Sequence, residues 1–262
     1  MFFKRKKNTK KIIIYTAIFG RYDILREPLF PEELLEEADL VCFTDNKHLK
    51  STSFLIKRVK RQFEDPTLEN RFYKLQPHRV LRKGYDYNIY VDAHYLITAK
   101  SVKHLLSEHL SNDTLLALLK HPERNCIYEE FKACHFYNMD KPEKFIAQEK
   151  FYKEEGFPEQ YGLNLGGLQF RKFDKKLEKL LDFWWNEVKT RSRRDQLSFN
   201  YSIWKLNFQN FKTLDWIPEG TPFGKLEKHQ PFVKEYGPFK REFHKIRRKI
   251  FGYSNKPPKK HS

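Results

Sequence analysis

A buried strand with a polar exit is predicted for residues 87–94, Tyr87-Asn88-Ile89-Tyr90-Val91-Asp92-Ala93-His94. The first five of these residues suit a strand that is covered on both faces, as in the parallel sheets of α/β proteins. Asp92 and His94 follow two positions apart, and a strand-like backbone would place both side chains on one face. A carboxylate and an imidazole in this arrangement suit Mn²⁺ or a similar divalent metal better than Ca²⁺. The alternative is that Asp92 caps the next helix and His94 is a surface residue.

A second strand end with polar neighbours comes earlier in the chain. Residues 11–19 form a largely apolar, β-branched run closed by Gly20, which predicts a buried parallel strand. Ligands of open α/β sheets bind beyond the carboxyl ends of the strands, so the segment 15–23 is predicted to meet a nucleotide. The predicted nucleotide contacts are Thr16, Ala17, Phe19 and Tyr22, with Asp45 after the next predicted strand, residues 40–44.

Strands alternate with helices along the rest of the chain, and no internal repeat is visible. Further strands are predicted at 53–59, 115–119 and 163–170, and helices at 68–81, 101–109 (with Ser101 as its cap), 141–155, 175–189 and from Arg194 to Trp204. The predicted fold class is therefore α/β, with a mostly parallel central sheet flanked by helices in a single domain, residues 11–237. Residues 238–262 are predicted to be a basic appendage.

Two basic residues share one side of the predicted helix 68–81, in which Pro77 is expected to cause a bend. Arg71 and Lys74 are three positions apart and project together from neighbouring turns. Arginine grips phosphate oxygens in a fork and lysine adds a point charge, so the pair is predicted to contact the diphosphate of a nucleotide. The alternative is a solvated basic face.

Asp195 is the centre of a second candidate region. It follows the basic residues 191–194 and precedes an apolar helix, so it suits an N-cap. A carboxylate in this position can also face a pocket, where it orients a sugar hydroxyl or acts as a base. We predict that Asp195 and Gln196 contact the acceptor substrate. The same is predicted for a stretch that allows a close approach of a ligand, unless it forms a bulge: Gly162, Asn164, Gly166 and Gly167.

The three cysteines, Cys42, Cys126 and Cys134, lack the paired spacing of a zinc site and suit a reducing cytosol. No apolar run approaches the roughly 20 residues that span a bilayer, and the first ten residues lack the apolar core of a secretion signal. We therefore predict a cytoplasmic protein. His121, Glu129 and Glu130 form a polar cluster around Cys126, a cysteine better suited to packing than to nucleophilic attack.

The formal net charge of the 262 residues is +17, and much of the excess lies near the two ends of the chain. Such charge suits an anionic membrane face, nucleic acid, an acidic substrate or simply solubility. Four apolar residues recur at spacings of three and four within the basic tail: Phe239, Phe243, Ile246 and Ile250. This pattern predicts an amphipathic basic helix that either docks on the domain or lies in a membrane interface.

Several motifs, taken in order, resemble a glycosyltransferase-like family that was long catalogued as a domain of unknown function. The motifs are YTAIFGRYD (15–23), CFTDN (42–46), NRFYKLQPH (70–78), YVDAH (90–94), HPERNCIYEE (121–130) and SRRDQLSFNYSIWK (192–205). The resemblance covers roughly residues 12–216, and its members occur in plants and in bacterial surface-polysaccharide gene sets. It implies a GT-A fold in which Asp92 and His94 occupy the Asp-x-Asp position of metal-dependent enzymes. His94 replaces the second carboxylate of that motif, and His229 is the candidate that completes the metal site.

The resemblance implies a glycosyltransferase, of hexosyltransferase type, that uses a UDP-sugar donor and Mn²⁺ or Mg²⁺. In this interpretation Asp92 and Asp195 are the catalytic residues, and the acceptor is a polysaccharide, a glycolipid or another lipid-linked glycan. An enzyme with such an acceptor has to reach it, which favours peripheral attachment of the tail to the inner face of the membrane. Two alternatives remain open: a metal-dependent hydrolase of a lipid or glycan linkage, and a non-enzymatic basic module that binds RNA or membranes. Nucleic acid is the less favoured partner, because the aromatic residues fall mostly within apolar strands and helices.

Overall fold

The computed structural model describes residues 11–20, 23–81, 83–108, 113–215 and 225–226. Three features of the sequence predictions lie outside these residues: Tyr22, His229 and the tail 238–262. None of the helices in the described part of the chain is both long enough and apolar enough to span a bilayer.

The described residues form nine strands and eight helices. The strands are β1 (Ile12–Ile18), β2 (Asp39–Thr44), β3 (Leu55–Arg58), β4 (Tyr87–Val91), β5 (Tyr95–Leu96), β6 (Leu116–Lys120), β7 (Asn164–Lys172), β8 (Phe211–Leu214) and β9 (Lys225–Leu226). The helices are α1 (Pro31–Glu37), α2 (Pro66–Leu75), α3 (Pro77–Val80), α4 (Ala99–Glu108), α5 (Ile127–Phe136), α6 (Pro142–Glu154), α7 (Lys175–Thr190) and α8 (Gln196–Lys205).

Seven strands form the central sheet, in the order β3-β2-β1-β4-β7-β6-β8. Four of the neighbouring pairs are parallel, and only β7 runs antiparallel to its neighbours β4 and β6. The predicted fold class, α/β with a mostly parallel sheet flanked by helices, is therefore confirmed. The reversal of β7 has a direct consequence for the site, because it brings the amino end of β7 to the carboxyl ends of β4 and β6.

The strands at the centre of the sheet are buried on both faces. Every residue of β1 is buried, and the side chains of Ile14 and Tyr15 are completely enclosed. On one side of the sheet, α2 and α7 pack against each other, and the buried Trp184 of α7 contacts Phe199 of α8. The aromatic residues that might have stacked on nucleotide bases are thus largely used in the core.

A buried arginine on β7 fixes the end of α2. The Arg171 guanidinium is fully enclosed; it donates to the carbonyl of Lys74 at 2.7 Å, to the hydroxyl of Tyr15 at 2.9 Å and to Oδ1 of Asn88 at 3.2 Å. Tyr15 in turn donates to the carbonyls of Tyr73 and Lys74, at 3.2 and 3.1 Å. These carbonyls belong to the last turn of α2, which has no intrahelical donors and carries the negative end of the helix dipole. Arg171 and Tyr15 therefore lock the carboxyl end of α2 onto the sheet.

Several predicted boundaries were wrong for local reasons. The predicted helix 68–81 is two helices, because Pro77 starts a new one after Gln76. Helix α4 begins before Ser101, whose N–H is instead accepted by the hydroxyl of Thr98 at 3.2 Å. Five elements were not predicted at all: α1, α5, β5, β8 and β9. Helix α5 was taken for a polar cluster, because its buried Glu130 and half-buried Glu129 mask the apolar spacing.

We expect Arg171→Met to lower the free energy of unfolding by about 3 kcal/mol, because the Asn88 amide oxygen and the Tyr15 hydroxyl lose their donor and the Lys74 carbonyl loses one of its two donors. Urea denaturation at pH 7 measures this difference. The matched control is Lys179→Met on the exposed side of α7, for which a change within about 0.5 kcal/mol is expected. Equal stability of Arg171→Met and the parent protein would show that the buried guanidinium does not hold α2.

Candidate active site

A cleft opens at the carboxyl ends of β1 and β4, beside α2. Its empty volume is about 460 Å³, and it is lined by Ala17, Ile18, Phe19, Asp23, Pro66, Thr67, Asn70, Arg71, Asp92 and Ala93. The strand ends and Pro66 give it an apolar floor, and two carboxylates and one guanidinium give it polar walls. Apolar pockets with a few convergent polar groups are the usual sites of small-molecule binding, and the cleft lies where open α/β sheets bind ligands.

Asp92 directly follows the last residue of β4, and its carboxylate contacts two neighbouring side chains. The hydroxyl of Tyr90 donates to Asp92 Oδ1 at 2.8 Å, and Lys74 Nζ lies 3.7 Å from the same oxygen. The strand does not continue to His94, because the chain turns immediately: the N–H of Tyr95 donates to the carbonyl of Asp92 at 2.8 Å. The argument from strand periodicity for Asp92 and His94 was therefore wrong. Asp92 lines the cleft, and His94 Nδ1 lies 3.7 Å from Oδ2 of Asp23, another residue of the cleft wall.

Helix α2 supplies the opposite wall of the cleft. Its start is fixed by Asp65, whose side chain accepts from the N–H of Thr67 at 2.9 Å, and by a proline at its first position. Asn70 donates to the carbonyl of Ala17 at 2.6 Å and to the hydroxyl of Tyr90 at 3.2 Å, which ties the helix to β1 and β4. Asn70, Tyr90 and Asp92 thus form a continuous hydrogen-bonded path along the cleft.

Arg71 and Lys74 project together, as predicted, but toward a carboxylate. Arg71 Nε lies 2.9 Å from Asp195 Oδ1, and Lys74 Nζ lies 2.8 Å from Asp195 Oδ2. The three side chains are largely enclosed: the exposed fraction is 13% for Arg71, 3% for Lys74 and 4% for Asp195. The alternative of a solvated basic face is therefore wrong. Arg71 still lines the cleft, whereas Lys74 lies behind it between Asp195 and Asp92.

The charges of this cluster shift one another's protonation equilibria. Burial alone would raise the pKa of Asp195, but Arg71, Lys74 and Arg194 outweigh it and hold the pKa far below its usual range. Burial lowers the pKa of Lys74, against the opposing attraction of Asp195 and Asp92. Burial also acts to lower the pKa of Arg71, yet Asp195 and Asp92 leave it raised. A carboxylate held so firmly in its ionised form is a poor general base at neutral pH.

Asp195 occupies the N-cap position of α8 without capping it. No N–H group of the helix donates to its carboxylate, which instead joins the ion cluster on α2. Its carbonyl accepts from the indole of Trp184 at 2.8 Å, which fixes the backbone. These contacts favour Asp195 as the residue that organises Arg71 and Lys74 over its predicted role as a base, which stays a prediction.

Two glycines of β7 make room for the two carboxylates. A methyl group added at Gly166 would lie 2.6 Å from Asp195 Oδ2 and 3.1 Å from Lys74 Nζ. One added at Gly167 would lie 3.0 Å from Asp92 Oδ2. Because β7 is antiparallel to β4, these glycines sit beside Asp92, whose N–H donates to the carbonyl of Gly167 at 2.8 Å. The glycines are needed for close approach, as predicted, but the groups that approach are the protein's own side chains.

Other predicted contacts lie away from the cleft. Thr16 is enclosed, with 1% exposure. Asp45 accepts from the N–H of Gly20 at 3.0 Å and pairs with Arg61 at 3.0 Å, so it holds the loop after β1. Asn164 is buried and donates to Thr213 at 3.0 Å. None of the three residues lines the cleft, and the ligand contacts predicted for them from the sequence stay predictions.

Gly162 and Gln196 stay predicted acceptor contacts. Gly162 has a φ of +105°, a conformation that favours glycine. A methyl group added at this residue would contact the side-chain amide of Asn200. Gln196 is mostly buried, and its Oε1 lies 3.5 Å from a nitrogen of Arg194.

Three residues of the cleft were missed as individual candidates: Asp23, Asn70 and Tyr90. Asp23 and Asn70 are polar residues within stretches already singled out, so their proximity to a strand end and to Arg71 was the available signal. Tyr90 gives no such signal, because a buried tyrosine in an apolar strand reads as core.

The donor atoms at one end of the cleft suit a divalent cation. Asp23 and Asp92 contribute carboxylates to its wall, and His94 lies next to Asp23. Mg²⁺ prefers oxygen ligands and retains several waters or phosphate oxygens, while Mn²⁺ also accepts imidazole. Among the described residues no cluster of three metal-binding side chains occurs. Asp23 and His94 therefore form a pair and Asp92 is a separate candidate ligand on the cleft wall, so the predicted metal stays a prediction that needs further ligands, such as substrate phosphates.

We expect Asp195→Asn to lower the free energy of unfolding at pH 7 by about 3 kcal/mol, because Arg71 and Lys74 lose their buried partner. The pKa of Asp195 is lowered in the folded state, so its stabilisation is complete above the unfolded pKa of about 3.9 and is lost as the pH falls toward the folded value. The difference between parent and variant, measured by urea denaturation, should stay constant above about pH 5 and shrink below about pH 4.

Asp182→Asn is the control, because Asp182 is 43% exposed and pairs with Arg79 at the surface. We expect a loss below about 1 kcal/mol for this variant. A pH-independent difference for Asp195→Asn would contradict the ionised state assigned to Asp195.

The chain is similar to known proteins in both sequence and structure. Residues 3–220 match the family described as "TOD1/MUCI70, glycosyltransferase-like domain". Mouse xyloside xylosyltransferase 1, in its apo form, has a TM-score of 0.44 and 11% sequence identity, over 79% of this chain and 85% of that chain. A glycosyltransferase involved in the glycosylation of the major capsid of PBCV-1 has a TM-score of 0.41 and 9% identity, over 78% of this chain and 81% of that chain. The search of curated protein sequences finds no match.

The matched family extends over all of the central sheet and over both candidate regions of the sequence, Asp92 and Asp195. The resemblance inferred from the motifs is confirmed, and with it the assignment to the transferases. The chain belongs to the TOD1/MUCI70 glycosyltransferase-like domain family.

Proposed function

We propose that the protein transfers a sugar from a nucleotide-sugar donor, a UDP-sugar, to a polysaccharide or glycolipid acceptor. The observation that carries this proposal is the cleft at the carboxyl ends of β1 and β4, with carboxylates on one wall and Arg71 on the other. A nucleoside diphosphate has a base with flat faces that pack on apolar surface, hydroxyls and an anionic tail, and the cleft offers a complementary group for each. The backbone and side chains at Ala17 and Phe19 provide the apolar surface, and Arg71 provides the cation.

The buried ion cluster explains how Arg71 is kept ready for an anion. Its Nε is held by Asp195, so the side chain does not have to be ordered when the ligand binds. Fixed charges in a largely enclosed site stabilise charge that develops on a leaving diphosphate better than mobile surface charges do. In this proposal Asp195 acts indirectly, by positioning Arg71 and Lys74, and Asp92 lies closest to the reacting groups.

A divalent cation, when bound, would neutralise part of the charge on the leaving diphosphate. Asp92, Asp23 and His94 are the described residues that would hold it. The acceptor is proposed to enter beside Gly162 and Gln196, on the same edge of the sheet, since β6 and β4 are both antiparallel to β7.

Asp92→Asn is expected to weaken Mn²⁺-dependent binding of UDP at least about tenfold, or about 1.4 kcal/mol, while leaving the fold intact. Isothermal titration calorimetry with UDP, GDP and uridine, with and without Mn²⁺, measures this directly. Asp45→Asn is the control carboxylate, because Asp45 lies outside the cleft and contacts Gly20 and Arg61. If the parent protein binds none of the nucleoside diphosphates, the proposed donor is wrong; if Asp92→Asn binds UDP as the parent does, Asp92 is removed from the donor site.

We also propose peripheral attachment to an anionic membrane through the basic tail 238–262, on the sequence pattern alone. Removal of the tail should abolish binding to vesicles that contain phosphatidylglycerol at low salt, while UDP binding by the domain survives. Vesicle co-sedimentation measures the first effect and calorimetry the second. Undiminished vesicle binding by the shortened protein would contradict the attachment.

A further inference from the structure

The turn between α7 and α8 carries several charged residues, and these differ in their ion-pair partners. Arg191 Nε lies 2.8 Å from Glu187 Oε2, and a terminal nitrogen of Arg193 lies 2.6 Å from Asp65 Oδ2. Each of these guanidiniums therefore has a carboxylate at hydrogen-bonding distance. Arg194 differs from both.

The Arg194 side chain is only 22% exposed, yet its nearest carboxylate oxygen is 3.8 Å away, on Glu130. Arg124 Nε lies 2.7 Å from the other oxygen of Glu130, so this carboxylate is shared between two guanidiniums. The remaining contacts of Arg194 are with Gln196 Oε1 at 3.5 Å and with the thiol of Cys134, which is a weak acceptor. Its Nε is buried and has no acceptor among the described residues, which is also true of Arg193 Nε, so the difference between the two arginines lies in their terminal nitrogens.

This arrangement is costly for an arginine. A guanidinium has five N–H donors and remains charged, so a largely buried one is normally hydrogen-bonded to carboxylates or carbonyls. Buried donors without partners are rare and call for an explanation, of which an absent ligand is one. Arg124, in the same cluster, shows the usual case: it contacts Glu130, His121 at 3.0 Å and Glu123 at 3.3 Å.

The position of Arg194 relates it to the ion cluster of the active site. It precedes Asp195 directly, and its charge lies close enough to lower the pKa of Asp195 and to oppose that of Arg71. Arg71, Lys74 and Arg194 thus surround a single enclosed carboxylate. Gly166 and Gly167, which lie next to the same cluster, are partly exposed, so this side of the cluster is open to solvent.

We propose that Arg194 binds a phosphate oxygen of a substrate, completing the hydrogen bonds that the protein leaves unmade. This inference rests on the proposed function, since it assigns a phosphate-bearing ligand to the same site. Arginine suits the role because its planar fork contacts two phosphate oxygens at once. An oxyanion between Arg194 and Arg71 also offsets the repulsion between the two cations.

The phosphate has two sources in the proposed reaction. One is the diphosphate of the nucleotide-sugar donor, and the other is the phosphate of a lipid-linked acceptor. Both present the same chemistry to Arg194, and binding measurements with separate probes distinguish them.

The test compares Arg194→Gln with Arg191→Gln by calorimetry in the full chain with Mn²⁺. Arg191 is the matched control, because it belongs to the same basic run, is 25% exposed and already has Glu187 as its partner. The probes are UDP and uridine for the donor and geranyl diphosphate for the acceptor. We expect Arg194→Gln to weaken at least one diphosphate tenfold or more, with uridine unaffected, and Arg191→Gln to change each Kd less than twofold.

Weakening of UDP alone assigns Arg194 to the donor, and weakening of geranyl diphosphate alone assigns it to the acceptor. The proposal is overturned if Arg194→Gln binds both diphosphates as the parent does, if Arg191→Gln loses as much affinity, or if uridine is weakened equally. If the parent binds no UDP, the proposed donor fails, and geranyl diphosphate still tests Arg194.

Two further measurements distinguish a lost phosphate contact from a misfolded variant. Arg194→Lys keeps the charge and loses the fork, so it should bind the affected diphosphate with an intermediate Kd. In the parent protein, reaction of Arg194 with phenylglyoxal, followed by mass spectrometry, should slow when UDP or geranyl diphosphate is present. Unchanged reactivity with both diphosphates would contradict the proposal without any substitution.

Discussion

The contact of the Asp195 carboxylate with Arg71 and Lys74 is the constraint on which the active site depends. It joins a turn between two helices late in the chain to a helix early in the chain, in a place where water is largely excluded. Separating the partners would leave charges buried alone, and the energetic cost of that is much larger than the net gain from forming the pair. Such a cluster therefore does less to stabilise the fold than to exclude other arrangements of α2 relative to α8.

The sheet makes this cluster possible. The antiparallel strand β7 enters between two parallel neighbours and brings Gly166 and Gly167 to the place where carboxylates from β4 and α8 converge. On the same strand, Arg171 holds the last carbonyls of α2. Strand β7 thus leaves space for the carboxylates at its amino end and donates hydrogen bonds to α2 at its carboxyl end. Together these features fix the position of α2 as a wall of the cleft.

The fold class and most of the strands followed from apolar runs, because strands buried on both faces are nearly continuous in hydrophobicity. The clustering of Arg71 with Lys74 followed from helical spacing. The sequence did not reveal their partner, since the contact with Asp195 depends on how distant elements pack. The contacts of Asp45 and Asn164 within the protein were not predicted for the same reason: polar groups near strand ends bind either a ligand or another loop, and local pattern does not distinguish the two. Helix α5 was not predicted because its first turn carries two glutamates, of which Glu130 is buried beside Arg124 and Arg194.

The clamp formed by Arg171 has a further consequence for synthesis of the chain on the ribosome. Tyr15 and Arg171 are 156 residues apart, so β1, α2 and β4 are made long before the residue that satisfies their buried polar groups. Contacts between such distant positions form late and slow folding. A nascent chain that ends before β7 carries an exposed hydrophobic sheet edge, which is a surface that chaperones bind. The amino-terminal half contains all ten residues that line the cleft, yet it depends on β7 for the donor to its buried Tyr15 hydroxyl.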